Sequence, residues 1–227
     1  MEEYLHSIYL PNTVWLLDGI EYQTDTYGFR NKEDYENVDI VTLGCSDTFG
    51  IGNNDELIWP SLIRKQSNKK VINLGVPGGS IDTCYRVLKG FLSKYKTKEV
   101  YLLIPGISRN EFYVNSKYGE PQCVQIGPNF HKVIQDEDIS KLAEKIFDHI
   151  TACSINAKLN QSGYIDAINW ICKENNIKLV KIGNPIHEPD WDDNYKFKDF
   201  PLAADKLHLG HDYQKLIFDR FINKLEY

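Results

Sequence analysis

The most informative stretch of this chain is Val41-Thr-Leu-Gly-Cys-Ser-Asp-Thr-Phe-Gly-Ile-Gly52, in which an apolar run ends at a glycine and a serine follows. A short apolar run of this kind predicts a buried strand, and the small residues after it predict a loop before a new helix. Ligands of open α/β sheets bind outside the carboxyl ends of the strands, where Ser46 would lie. Backbone N–H groups at the start of the helix would face developing negative charge. The stretch therefore predicts Ser46 as a nucleophile.

A second pattern lies near the other end of the chain, at Asp205-Lys-Leu-His208. It places a carboxylate and an imidazole three residues apart, and a turn before a helix would let them meet. An imidazole that takes the serine proton and a carboxylate that orients the imidazole complete a nucleophilic triad. Ser46, His208 and Asp205 are therefore the predicted catalytic residues.

The residues around the first stretch alternate between strand and helix patterns. Alternation of this kind predicts a parallel sheet covered by helices. Before it, Val14–Leu17 and Ile20–Gln23 flank Asp18-Gly19, which predicts a β-hairpin. We expect residues 1–37 to form an N-terminal hairpin extension and residues 38–227 to form the main domain. The predicted strands span about 38–44, 70–75 and 99–104, and the predicted helices span about 57–67 and 80–95.

The second half of the chain is less regular. From Ile104 to about Gln135 there is no clear periodicity, which predicts a long and functional loop. Helical patterns follow from Asp136 to Ile150 and from Tyr164 to Glu174, with a separation expected near Gly163. The remaining predictions are a strand over 177–182, a loop over 183–204 and a final helix over about 212–224.

Composition limits the class of protein. With 227 residues, 42% hydrophobic, the chain can bury one substantial core. A net charge of −6 and no basic stripe argue against nucleic-acid binding. No window reaches the length of a membrane span, and Met1-Glu-Glu-Tyr-Leu-His6 lacks the features of a signal peptide. We therefore expect a cytoplasmic protein that acts on small molecules or carbohydrates.

Metal and cofactor sites are not predicted. The five cysteines are scattered and form no C-x-x-C pair, so neither a disulfide framework nor a zinc site is indicated. Gly75-Val-Pro-Gly78-Gly79 lacks the spacing of a dinucleotide-binding loop. The acidic tract His187–Asp193 is interpreted as a solvated loop. Cys45 is a rival nucleophile, but a buried cysteine is usually inert.

These motifs, taken in order, resemble those of the SGNH (GDSL-type) hydrolases, which are esterases, lipases and carbohydrate deacetylases. Gly44–Gly52 is similar to the block that carries the nucleophile, Val71–Gly78 to the second block and Asp205–His208 to the last block. The lead-in Tyr27–Arg30 is similar to that of some bacterial and phage members, and no role is inferred from it. The resemblance implies a flavodoxin-like three-layer sandwich with a central parallel sheet, and it leaves a phage-encoded origin open.

The resemblance also implies roles for individual residues. The backbone N–H groups of Ser46 and Gly78 would form the oxyanion hole. The third donor, an asparagine in the family, is replaced by Ser108 in direct register or by Asn110 after a two-residue slip. Cys45 stands where the family usually has aspartate.

The predicted function is cleavage of an ester, with an O-acetyl group on a carbohydrate as the expected substrate and no metal or organic cofactor. Two alternatives stay open: an acyltransferase, and a catalytically weak or inactive module that binds glycans or has a structural role. Arg109 is predicted either to bind substrate or to pair with Glu111 at the surface. Loop aromatics are predicted to stack on sugar rings, with Tyr113 and Trp191 as the candidate substrate contacts. The oligomeric state is not predicted.

Overall fold

A computed structural model describes residues 5–115, 121–128, 134, 136–151, 154–184 and 200–225. Its centre is a four-stranded parallel sheet in the order β4-β3-β5-β8. When these four strands are numbered 1 to 4 along the chain, their order across the sheet is 2-1-3-4. This is the order of a doubly wound, flavodoxin-like fold. The strands are β3 (Ile40–Leu43), β4 (Val71–Asn73), β5 (Glu99–Ile104) and β8 (Lys178–Gly183).

Helices cover both faces of this sheet. One face carries α3 (Ile81–Leu92) and α5 (Ser154–Glu174), which enclose a core that includes Val41, Leu102 and Phe91. The other face carries α2 (Trp59–Ser67) and α6 (His211–Leu225) around Tyr101 and other apolar side chains. The result is the predicted three-layer sandwich. Among the described residues no helix combines the length and apolarity needed to cross a membrane.

The predicted N-terminal hairpin is present. Strands β1 (Val14–Leu17) and β2 (Ile20–Gln23) pair antiparallel, with Leu17 opposite Ile20. Asp18 and Gly19 both have positive φ, at 51° and 78°. Two positive φ angles produce the turn whose twist suits adjacent strands, which is why an Asp-Gly pair predicts it.

The hairpin packs against the main fold. Ile20 and Tyr22 form a small apolar cluster with Phe49, and Leu5 and Phe29 are buried in the core under α3. Residues of the N-terminal segment therefore pack against the apolar side chains of the main fold.

Two predictions for the middle of the chain are wrong. The expected loop between Ile104 and Gln135 contains a second hairpin, β6 (Asn110–Asn115) paired with β7 (Pro121–Ile126). The expected break near Gly163 is absent, because α5 runs through that residue. Helix α4 (Glu137–Thr151) precedes α5 and covers the hairpin through Ile139 and Ala143.

Candidate active site

Ser46 begins the short helix α1 (Ser46–Phe49) directly after β3. Gly44, at a φ of +156°, lies between strand and helix, and a Cβ there would come within 2.1 Å of Thr48 Oγ1. The turn therefore requires a residue without a side chain. Ser46 is nearly buried, at 7% exposure, and its carbonyl accepts the N–H groups of Gly50 at 2.8 Å and Ile51 at 3.1 Å.

Asp205 and His208 are in contact, as the three-residue spacing suggested. His208 Nδ1 lies 2.6 Å from Asp205 Oδ2. Asp205 Oδ1 accepts the backbone N–H groups of Leu207 and His208, both at 3.1 Å. Burial opposes ionisation of Asp205, but the hydrogen bonds from His208 and from these N–H groups hold the pKa of the carboxyl below its ordinary value. The Asp205 carboxylate thus both stabilises the turn and orients the His208 imidazole.

The loop that carries Asp205 lies against the loop that follows Ser46. Gly52 O accepts the Ala204 N–H at 3.0 Å, and Asn53 Nδ2 donates to Leu209 O at 3.2 Å. A Cβ on Gly52 would lie 2.7 Å from Asp205 Oδ1. In the described part of the chain no hydrogen bond joins Ser46 Oγ to His208 Nε2. Such bonds often tighten only when substrate is bound.

A buried polar network makes a second connection between α1 and the C-terminal part of the fold. Asn184 Nδ2 donates to Asp47 Oδ2 at 2.8 Å, and Tyr213 Oη donates to Asn184 Oδ1 at 2.6 Å. Gln214 Nε2 donates to Asp47 O at 3.1 Å. Asp47, which directly follows Ser46, is therefore fixed to the residue that follows β8 and to the first turn of α6. No sequence pattern indicates this network, because its members are far apart in the chain.

Cys45 has the properties of a packing residue. Its side chain is buried, with 1% of the residue exposed. Burial and the neighbouring Asp47 carboxylate raise the pKa of the Cys45 thiol, while the positive charge of Arg109 opposes that rise. A thiol with a raised pKa forms little of the nucleophilic thiolate at neutral pH. Burial and the raised pKa therefore both argue against Cys45 as a nucleophile.

Gly78 lies in the turn that precedes α3. Gly79 N–H donates to Val76 O at 2.8 Å across Pro77-Gly78, and Gly78 has a φ of +74°. Proline at the second position and glycine at the third are typical of a type II turn. Ser80 N–H then donates to Thr83 Oγ1 at 3.2 Å at the start of α3.

The two candidates for the third oxyanion donor occupy different elements. Ser108 is half-buried in the turn after β5. Asn110 is buried in β6, where its Oδ1 accepts a hydrogen bond from Asn160 Nδ2 at 2.8 Å. Both remain candidates, because either a hydroxyl or an amide can donate.

The predicted substrate contacts have different surroundings. The predicted surface pair of Arg109 and Glu111 is wrong, because the side chain of Glu111 is buried and binds Arg86 through two hydrogen bonds. The positive charge of Arg109 lowers the pKa of the Cys45 thiol, against the larger effect of burial. Tyr113 is 48% exposed, and its hydroxyl lies 3.0 Å from His6 Nε2.

Trp191 and the acidic tract at 187–193 lie outside the described residues. Among the residues that are described, no group of three His, Cys, Asp or Glu side chains is arranged to hold a metal ion.

Comparison with known proteins gave only distant structural likenesses. No family model matches the chain, and no curated protein matches it. One likeness is to a member of the lipolytic G-D-S-L family from Veillonella parvula DSM 2008, at 12% identity and a TM-score of 0.40, covering 82% of this chain and 97% of that one. A second is to the psychrotrophic esterase EstA from Pseudoalteromonas sp., at 13% identity and a TM-score of 0.39, covering 83% and 96%.

A third likeness is to a family 3 carbohydrate esterase from Clostridium thermocellum, at 14% identity and a TM-score of 0.36, covering 83% of this chain and 96% of that one. Likenesses at these scores assign neither a family nor an activity. We therefore base the proposed function on the chain's own residues.

Proposed function

We propose that this chain is a serine hydrolase that cleaves an ester through Ser46, His208 and Asp205. The observation that carries the proposal is the 2.6 Å contact between His208 Nδ1 and Asp205 Oδ2, on a loop bonded to the loop that follows Ser46. A histidine held on one side by a carboxylate presents its other nitrogen as a base.

The proposed reaction has two acyl-transfer steps. His208 Nε2 takes the proton from Ser46 Oγ as that oxygen attacks the ester carbonyl carbon, and the C=O electrons move to the carbonyl oxygen. The backbone N–H groups of Ser46 and Gly78, with Ser108 or Asn110, donate to this oxyanion. The C–O bond to the alcohol then breaks, and His208 gives the proton to the departing alcohol. Water, deprotonated by His208, cleaves the acyl-enzyme in the same way.

The finer proposal is that the ester is an O-acetyl group on a carbohydrate. It follows from the motif resemblance to carbohydrate deacetylases, with Arg109, Tyr113 and Trp191 as the proposed substrate contacts. For Arg109 the support is electrostatic, since its positive charge lowers the pKa of the thiol of Cys45, the residue before Ser46. Release of acetate from acetylated oligosaccharides, compared with aryl acetate, tests this part of the proposal separately from the ester chemistry.

Two variants of neighbouring residues test the proposed nucleophile. Ser46→Ala should lower kcat/KM for an aryl acetate by at least about 10⁴-fold, because the nucleophile is lost. Cys45→Ala should retain activity within about tenfold, because the thiol takes no part. Turnover that survives Ser46→Ala and is lost in Cys45→Ala would contradict the assignment.

The same enzyme preparation distinguishes the alternatives. An acyltransferase would form acetylated product when a sugar acceptor is added and would hydrolyse slowly without one. Binding of glycans without turnover of any ester would identify a binding module and overturn the hydrolase proposal.

A further inference from the structure

Arg30 is a buried residue whose guanidinium group is surrounded by main-chain carbonyl groups. Its Nη1 donates to Gly50 O at 2.7 Å and to Phe49 O at 3.4 Å. Its Nη2 donates to Asn53 O at 3.0 Å and to Glu21 O at 3.3 Å. We call these four carbonyl groups the carbonyl cage. Three of the four, those of Phe49, Gly50 and Asn53, belong to the end of α1 and the loop that follows it.

Charge neutralisation does not explain this placement. Only 4% of Arg30 is exposed, and the contact to Asp55, from Nε to Oδ1, is 3.9 Å. Burial lowers the pKa of Arg30, and the nearby Asp55 and Tyr22 oppose that effect. The guanidinium also lies 4.5 Å from the centre of the Tyr22 ring. A planar group with five N–H donors in fixed directions sets the positions of its acceptors more strictly than an ammonium group can.

The segment whose carbonyl groups Arg30 binds contacts both Ser46 and the turn that carries Asp205. Its Gly50 and Ile51 N–H groups donate to Ser46 O. Its Gly52 O accepts the Ala204 N–H, and the position of a Gly52 Cβ is 2.7 Å from Asp205 Oδ1. A shift of this loop would therefore move Ser46 relative to the turn that holds His208.

The residue after Arg30, Asn31, binds the main chain of Asn73 at the end of β4. Asn31 Nδ2 donates to Asn73 O at 2.9 Å, and Asn31 Oδ1 accepts the Asn73 N–H at 2.7 Å. Asn73 Nδ2 in turn donates to Thr48 O at 2.7 Å. The N-terminal segment thus contacts α1 directly through Arg30 and indirectly through Asn31 and Asn73.

We propose that Arg30 is a positioning residue for the proposed reaction: by fixing the carbonyl groups of Phe49, Gly50 and Asn53, it sets the placement of Ser46 relative to the Asp205–His208 pair. The inference rests on the proposed function, and Arg30 does not contact the reacting atoms. A displacement of about 1 Å between reacting groups typically costs about 10²-fold in rate.

The test compares Arg30→Met with Lys32→Met. Methionine keeps an apolar stem over Tyr22 and removes all the donors. Lys32 is the matched control, because its Nζ also lies near Asp55, at 3.8 Å, while its side chain is 61% exposed. Three quantities are measured: kcat and KM for an aryl acetate, the fraction of molecules labelled at saturating fluorophosphonate, and Tm.

The expected result is a fall in kcat of about 10²-fold per labelled molecule in Arg30→Met, with KM changed less than about threefold. Lys32→Met should match the wild type in all three quantities. A loss of activity fully accounted for by a smaller labelled fraction would overturn the proposal, because it would show a purely structural role.

A second variant is used where Arg30→Met does not fold. Arg30→Lys keeps the charge but loses the rigid fork that binds the Gly50 and Asn53 carbonyl groups from separate nitrogens, so kcat per labelled molecule should fall by about tenfold. An unchanged kcat in a folded Arg30→Lys protein would overturn the proposal. A wild-type chain with neither turnover nor labelling would refute the proposed function and the role of Arg30 together.

Discussion

At the scale of single residues, Asp205 has two tasks that one substitution can separate. Its Oδ1 atom accepts two backbone N–H groups and its Oδ2 atom faces His208 Nδ1. An asparagine can still accept the backbone N–H groups through its oxygen. Its amide nitrogen, however, is a donor toward the imidazole and would favour the wrong tautomer.

Asp205→Asn should therefore lower kcat at neutral pH by about 10⁴-fold while it keeps the turn intact. Steady-state kinetics with an aryl acetate measure the first effect, and the melting temperature measures the second. If kcat stayed within a few-fold of wild type while the protein remained folded, Asp205 would not be the residue that orients His208.

Gly52 tests the contact between the two loops of the proposed site. Gly52 has a φ of +74°, and a Cβ there would lie 2.6 Å from Ala203 Cβ and 2.7 Å from Asp205 Oδ1. Gly19 is a matched control, with a φ of +78° and no atom within 4 Å of a Cβ. Gly19→Ala should lower the free energy of unfolding by about 1 kcal/mol, from backbone strain alone.

Gly52→Ala should lower the free energy of unfolding by more than Gly19→Ala does. It should also lower kcat, because the added methyl group would displace Asp205. Urea unfolding of both variants and their kinetics give the comparison. Equal losses of stability, with kcat unchanged in both, would contradict the described contact.

At the scale of elements, the β6–β7 hairpin is fixed to α3 by a buried ion pair. Burial raises the pKa of the Glu111 carboxyl, but hydrogen bonds and charge from Arg86, with hydrogen bonds from Thr83 and Gln125, hold that pKa below its ordinary value. For Asp82, burial outweighs the hydrogen bonds to the carboxyl group, so its pKa lies above its ordinary value. The two carboxyl groups should therefore affect acid stability with opposite signs.

The sign for Glu111 follows from linkage. A carboxyl whose pKa is lower in the folded state stabilises the fold above its unfolded pKa of about 4.3, and that stabilisation is lost as pH falls through the folded value. Glu111→Gln should thus lower stability at pH 7 and flatten its loss below about pH 5. Asp82→Asn should steepen that loss. Urea titrations at several pH values check both, and a Glu111→Gln slope equal to wild type would contradict the assignment.

The elements also show why part of the sequence prediction was wrong. The β6–β7 hairpin was missed because its connection, residues 116–120, has no Asn-Gly or Asp-Gly pair like the one at Asp18-Gly19. The break predicted at Gly163 is absent because the residue lies at an exposed position of α5, where a glycine costs only about 1 kcal/mol.

At the scale of the whole molecule, the alternation of strands and helices was sufficient to predict the parallel sheet, and the motif resemblance implied its three layers. Local patterns also predicted the contact of Asp205 with His208, because its three-residue spacing is set within one turn. The role of Arg30 could not be predicted, since its acceptors are carbonyl groups about 20 residues away. Every residue has a backbone carbonyl group, so no residue type marks these acceptors in the sequence.

The central claim is that the two ends of the chain form one reactive site. It is tested most directly by a fluorophosphonate probe, with the adduct located by peptide mass spectrometry. We predict a single adduct on Ser46 in the wild-type chain, formed at least about 10³-fold more slowly in His208→Ala because the base is missing. An adduct on another residue, no adduct, or a rate on Ser46 that does not depend on His208 would contradict the claim.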